Sequence, residues 1–408
     1  MRLLAIGKRT CTAPIRKQAA AASQLTLVLF SLTFAASPLG QARFSRGSEP
    51  VATAAGRQHS LAETSLAVPG RLEVRPMAVE GPTWGLDPRV VKAAYSLSTS
   101  ALAGEGTTIA IVTAYHNPTA ESDLAVFSRQ FGLPECTVAN GCFTQVSPQG
   151  TGTAASMPTE WMQESALDTQ WAHAIAPGSK ILLVEALAGE WDGMLAAVDY
   201  AKVHARYVAM SWSVPEFSAE AAFDAHFEQA GVSFFASSGD LSGSVRYPSA
   251  SPHVVSVGGT VLNTAAGEFL SEFRWPRTGW GCSAYEHATA AQLNSRDHSD
   301  SGCGESRATP DLSLVAEPGV SIYWNGTWLA GGGTSAATII VAARAAVSGS
   351  IVDANTVYGS SMSFRPVTSG AGVRNAALDP ATGRGSWVGP IVTPDRVTVT
   401  TDGASRHN

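Results

Sequence analysis

Residues 331–335 read Gly-Gly-Gly-Thr-Ser and run into the small apolar stretch 336–343, so Ser335 stands at the start of a predicted helix behind a glycine-rich turn. Glycine admits the tight turn and a close substrate approach, and a helix N-terminus offers backbone N–H groups to a developing oxyanion. Such turns are common, and alone this one does not make Ser335 a nucleophile. Glu164 and Asp168 lie four residues apart and therefore share a face of the helix predicted over residues 160–175. An acid pair at that spacing is ordinarily a solvated face. Here Trp161, Met162, Ala166, Leu167, Trp171 and Ala172 surround it, which favours burial and a shared proton. Finally, Ser237-Ser238-Gly239-Asp240 directly follows the apolar run 232–236, so a glycine turn holds an acid at the carboxyl end of a strand. Taken singly, Gly-Asp is an ordinary turn.

A nucleophilic serine needs a base, and none of the nine histidines sits in a glycine-flanked motif like that of the subtilisins. The apolar run 107–113 ends in Thr113 and offers no aspartate at the exit of the first strand. A Ser/His/Asp arrangement therefore lacks two of its members.

The elements that must position these residues alternate along the chain. Strands are predicted at residues 107–113, 180–185, 206–212, 232–236 and 254–257, and helices at 120–131, 160–175, 191–204, 215–230 and from 335 onward. Near-continuous apolar strands separated by amphipathic helices indicate a parallel sheet covered on both faces. Ligands of such sheets bind beyond the carboxyl ends of the strands, where Asp240 falls.

Together the motifs Glu164-x-x-x-Asp168, Ser237-Ser238-Gly239-Asp240 and Gly332-Gly333-Thr334-Ser335, in that order, resemble the sedolisin (serine-carboxyl peptidase) family. Connecting stretches are similar too: Asn117-Pro118-Thr119-Ala120 with Asp123-Leu124, Gly132-Leu133-Pro134, Trp171 through Pro177, and Tyr247-Pro248 leading into residues 255–259. The likeness covers about residues 86–389. It implies an α/β, subtilisin-like fold, a doubly wound and mostly parallel sheet with helices on both faces. It also implies roles: Ser335 attacks the scissile carbonyl, Glu164 takes its proton, Asp168 orients Glu164, and Asp240 donates to the oxyanion. Ser211, Trp212 and Ser213 match the edge on which such enzymes pair an extended peptide as an added strand, although Trp212 read alone is simply core.

The match departs in places. Ile339 stands where the family usually has proline, Ser213 where glycine is common, and Met210 where a polar residue is common. The family's calcium site would put its early aspartate at Pro366 and its later glycines and tryptophan at Asn375, Ala377 and Leu378, leaving Asp379 as the one remaining metal candidate. Pro366 cannot supply a carboxylate, so calcium is not expected to be required, nor is any other cofactor.

Bulk composition narrows the class. A net charge of −6 with only 15% charged residues excludes a binder of nucleic acid held by phosphate neutralisation. Residues 1–42 have the order of a signal peptide: basic Arg2, Lys8, Arg9, Arg16 and Lys17, an apolar run at 25–36 and small residues at Gly40 and Ala42. That run is shorter than the roughly 20 residues that span a bilayer. Residues 43–83 read as a linker or short processed segment, 84–389 as the peptidase domain and 390–408 as a tail. Cys11 would leave with the signal, and of three connectivities for Cys136, Cys142, Cys282 and Cys303 the simplest joins 136 to 142 and 282 to 303. The expectation is a secreted, monomeric endopeptidase acting on peptides or proteins at acid pH, without stable membrane association. The alternative is a catalytically silent extracellular relative that binds peptides or serves as a scaffold.

Overall fold

The computed structural model describes residues 68–69, 75–76, 85–150, 158–359, 361–368 and 379–389. The signal peptide at 1–42, most of the segment at 43–83, the tail at 390–408 and the former calcium positions Asn375, Ala377 and Leu378 lie outside the described residues.

In chain order the elements that matter are β1 (Val68–Pro69), β2 (Arg75–Pro76), α1 (Pro88–Ala94), β3 (Thr108–Ala114), α2 (Ala120–Phe131), β4 (Phe143–Val146), α3 (Thr159–Ile175), β5 (Lys180–Ala186) and α4 (Trp191–His204). They continue with β6 (Tyr207–Met210), β7 (Trp212–Pro215), a 3-10 helix at Glu220–Phe227, β8 (Ser233–Ser237), β9 (Arg246–Tyr247), β10 (Val255–Ala265), β11 (Glu268–Arg274) and β12 (Gly281–His287). After the short helices α5 (Ala290–Leu293) and α6 (Arg296–Ser301) come β13 (Ser306–Thr309), β14 (Leu312–Glu317), β15 (Val320–Trp324), β16 (Thr327–Gly331) and α7 (Thr334–Ser348).

The central sheet runs β11-β10-β8-β6-β3-β5-β4, with β14 also paired to β10. All its pairs are parallel except β10 with β11. The fold class is thus the one expected, α/β with a mostly parallel sheet.

Strand alternation explains its two covered faces. Ile109 and Ile111 of β3, with Tyr207 and Ala209 of β6, join a core that includes Leu124 of α2, Leu167 and Trp171 of α3, and Ile339 and Ile340 of α7. Ala110 and Val112, with Val208 and Met210, face the opposite way into a second core with Met194, Leu195 and Val198 of α4 and Phe227. Met210 is therefore packing, and Ile339 carries α7 through the core where the family has proline. Trp171 is fully buried, and its Nε1 donates to Ser321 O at 2.9 Å; truncation to alanine would cost about 3–5 kcal/mol.

Three elements differ from their expected form. The strand predicted over 206–212 breaks at Ser211, where the side chain turns inward to a carboxyl group, and β7 then leaves the sheet to pair with β1 and β9. The helix predicted over 215–230 shrinks to the 3-10 helix, because the buried Glu220 carboxyl accepts the Phe217 N–H at 2.8 Å and closes the entry into a tight turn. The strand predicted over 254–257 extends to Ala265, since its exposed half finds a hairpin partner in β11. Disulfides join Cys136 to Cys142 and Cys282 to Cys303, the simplest of the three connectivities.

Candidate active site

Helix α3 brings Glu164 and Asp168 beneath the carboxyl ends of the central strands, both with no solvent exposure. Helix α7 follows a turn in which Gly333 adopts φ 92°, a conformation L side chains rarely take, and Ser335 is the second helical residue, fully buried. The turn after β8 carries Asp240. All four side chains that the sequence singled out meet here, from segments separated by up to 171 residues (335 minus 164).

Their contacts are specific. Asp240 Oδ1 accepts the Thr334 N–H at 2.9 Å and the Thr334 hydroxyl at 2.7 Å. A Cβ on Gly333 would collide with Asp240 Oδ2, so glycine is needed there for space as well as for φ. Ser211 Oγ donates to Asp168 Oδ1 at 3.0 Å, both residues being fully buried. Ser335 faces Glu164 without a well-formed hydrogen bond between them.

Electrostatics follow from burial. Desolvation pushes the Glu164 carboxyl well above the usual carboxylate range and the Asp168 charge adds to it, while Ser335 offsets part, Asp240 raises it further and Ser211 lowers it. Burial likewise raises Asp168 well above its ordinary value, with the Ser211 hydroxyl opposing. Two buried acids, one raised by the charge of the other, cannot both ionise cheaply, so the pair favours keeping a proton.

The edge Ser211-Trp212-Ser213 divides its tasks. The Trp212 side chain is core, its Nε1 donating to Val112 O at 3.0 Å, whereas its backbone lies on a strand edge. That edge is occupied: Val68 pairs with Ser213 and Pro69 with Trp212, antiparallel. Arg75 and Pro76 pair with Ala330 and Leu329 on β16, the strand that leads into Gly331–Ser335. Short pieces of the N-terminal segment are thus added as strands to β7 and to β16. Ser213, where glycine is common, accepts Arg246 Nε at 3.1 Å through its hydroxyl.

Among the described residues, no metal site forms around Asp379. Its carboxyl accepts the Ala381 N–H at 3.0 Å and pairs with Arg274 at 3.3 Å, and Pro366 offers no ligand oxygen from its side chain. The donor set that the described residues offer at Asp379 does not fit calcium. Among the described residues, the His, Cys and carboxylate groups close enough to hold an ion are Cys136, Cys142 and His173, and both thiols are spent in a disulfide.

No family model matches the chain. It is 30% identical over 339 residues to kumamolisin from Bacillus sp. (strain MN-32), which covers 76% of this chain. The chain spans 59% of the length of that relative. A solved Pseudomonas sedolisin, a serine-carboxyl proteinase complexed with two molecules of pseudo-iodotyrostatin, superposes with a TM-score of 0.61 at 26% identity, covering 75% of this chain and 96% of the other. The chain belongs to the sedolisin family.

Within this sedolisin-family fold, sequence reasoning missed Thr334 and the inward role of the Ser211 side chain. In the Gly-Gly-Thr-Ser motif Thr334 reads as a spacer, and its partner lies 94 residues away. A hydroxyl beside the nucleophile was the available signal.

Proposed function

We propose that the chain is a secreted serine-carboxyl endopeptidase that hydrolyses peptide bonds of peptides or proteins at acid pH. The observation that carries this reading is the meeting of Asp168, Ser335 and the half-buried Asp240 around the fully buried Glu164, which feels all three groups at once. A hydroxyl facing a buried carboxyl group, with no imidazole acting on that carboxyl among the described residues, suits base catalysis by a carboxylate.

In the first half-reaction Ser335 Oγ bonds to the scissile carbonyl carbon while Glu164 takes the hydroxyl proton. The carbonyl oxygen becomes an oxyanion near the N-terminus of α7. Protonated Asp240 donates a hydrogen bond to it through Oδ2, Oδ1 being held by Thr334. The tetrahedral species collapses, the C–N bond breaks, and Glu164 returns the proton to the leaving amine. Water then repeats the sequence on the acyl-enzyme and frees Ser335. Asp168, hydrogen-bonded to Ser211, keeps the shared proton on the far side of Glu164.

An extended substrate would add to the edge at Trp212 and Ser213, and the occupation of that edge by Val68–Pro69 supports this use of it. Secretion is supported by two disulfides, which persist in oxidising compartments. No helix among the described residues is long and apolar enough to cross a membrane.

Casein digestion at pH 3–6 by the purified protein, beside Ser335→Ala prepared identically, tests the proposal. Acid digestion lost in the variant is the expected result. A folded wild type that binds peptide without cleaving it at any pH would establish the silent relative instead.

A further inference from the structure

A second group of carboxyl groups lies apart from the serine, where β7 leaves the fold. Glu220 in the 3-10 helix and Glu286 on β12 are 0% and 5% exposed. One oxygen of each, Oε1, is buried without a hydrogen-bond donor. Beside each stands another carboxyl within reach of a shared proton: Glu216 beside Glu220, and Asp224 beside Glu286.

The partners are better supplied with donors. Glu216 accepts the Ser283 hydroxyl and, at 3.4 Å, the Ala284 N–H. Asp224 Oδ1 accepts the Tyr247 hydroxyl at 3.0 Å and the Ser251 hydroxyl at 2.6 Å. In each pair the donor-rich carboxyl suits the ionised form and the donor-poor one suits the protonated form. A proton on the orphaned oxygen turns an acceptor facing an acceptor into a hydrogen bond.

We infer that Glu220 with Glu216, and Glu286 with Asp224, are proton-sharing carboxyl pairs that latch the exit of β7, the 3-10 helix and β12 together at acid pH and release them as pH rises. The latch joins two walls of the site. Glu216 directly follows β7, whose edge carries Trp212 and Ser213. Gly279, two residues before β12, donates its N–H to Gly239 O at 2.6 Å in the turn that holds Asp240. Release therefore loosens the peptide edge and the Asp240 turn together.

The groups facing these pairs come from every neighbouring element. Tyr247 reaches Asp224 from β9, and Arg246 beside it is held by Ser213. Arg307 on β13 favours the ionised form of Glu286, but both ends of its guanidinium are bound to Asp311 at 2.6 Å. From α4, Asp199 pairs with Lys202 at 2.7 Å and with His226 of the 3-10 helix at 2.9 Å.

Burial, reinforced by the neighbouring carboxylates, lifts Glu220 to about 9 and Glu286 to about 7, from ordinary values of 4.5. Folded values above unfolded ones mean that the native state holds these protons more tightly. The stabilising contribution is complete below about pH 4.5 and is lost as pH rises through about 7 for Glu286 and about 9 for Glu220.

The test uses Ser335→Ala protein, in which self-digestion cannot interfere, so failure of the peptidase reading leaves the readout untouched. Its melting temperature, followed from pH 4.5 to 8.5, should fall by at least about 5 °C. Glu220→Gln combined with Glu286→Gln supplies permanent donors and should flatten that slope. An unchanged slope in the double variant overturns the latch. Should the double variant not fold, amide exchange of the Ser335→Ala protein, corrected for the intrinsic rate, decides. Residues 216–228 and 281–287 should exchange at least about ten-fold faster at pH 7.5 than at pH 5. Equal protection at both pH values overturns the inference.

Discussion

Asp240 Oδ1 accepts both the N–H and the hydroxyl of Thr334, the residue immediately before Ser335. The acid at the end of β8 is thereby fastened to the first turn of the nucleophile's helix, and the two move as one body. Thr334→Val removes the hydroxyl while keeping shape and the N–H. We expect kcat to fall roughly ten-fold, the worth of one hydrogen bond, with KM nearly unchanged. An unaltered kcat would show that the N–H alone fixes Asp240.

Gly333→Ala should be far more damaging than its size suggests. A methyl group there meets Asp240 Oδ2, and φ 92° is strained for any L side chain. Loss of activity together with a stability loss of about 1–3 kcal/mol in urea unfolding is expected. Normal activity in this variant would mean that the turn is plastic and Asp240 is not held by it.

Ser335→Ala and Glu164→Gln should each reduce turnover by at least about a thousand-fold, and combining them should cost little more, because nucleophile and base act as a unit. Circular dichroism should be unchanged. Full activity in Glu164→Gln would assign the base elsewhere.

Activity should be confined to acid pH, with a lower limb above the ordinary carboxylate range near about 4.3. Glu164 must ionise to accept the serine proton, and its burial beside Asp168 holds the proton on to higher pH. Ser211→Ala withdraws the donor that offsets this rise and should move the lower limb further up. On the upper side Asp240 must keep its proton to donate to the oxyanion. Activity should be negligible at pH 8, and Asp240→Asn should carry its residual activity towards neutrality. A wild-type optimum at or above pH 7 contradicts the carboxylate base.

Millimolar calcium should leave the melting temperature unchanged, since a ligand that binds only the native state must raise it. Arg274 already occupies Asp379, and Pro366 has no carboxylate to replace it. An upward shift reversed by a chelator would reveal a different ligand set.

What could be read from the chain alone was what local pattern encodes. The acid pair on α3 announces itself by its spacing, Ser335 by its glycines and Asp240 by its position after an apolar run. Their chemistry became readable only through their order along the chain, which matches a family. The break at Ser211 was not legible, because apolar residues continue on both sides of it and only the buried Asp168 explains the turn. The shortened helix at Glu220–Phe227 was hidden for a similar reason: Glu216, Glu220 and Asp224 recur at helical spacing and look like a solvated face, but tertiary packing turns Glu220 fully inward.

The pairing of Val68–Pro69 with Trp212–Ser213 has a kinetic side. A strand covalently tied to the edge it occupies is present there at an effective concentration of order millimolar, whatever the dilution of the protein. Any incoming peptide that uses this edge competes against a resident that dilution cannot remove. Progress curves of full-length protein should begin slowly and accelerate as the resident is displaced or cut, with a delay that shortens as substrate concentration rises.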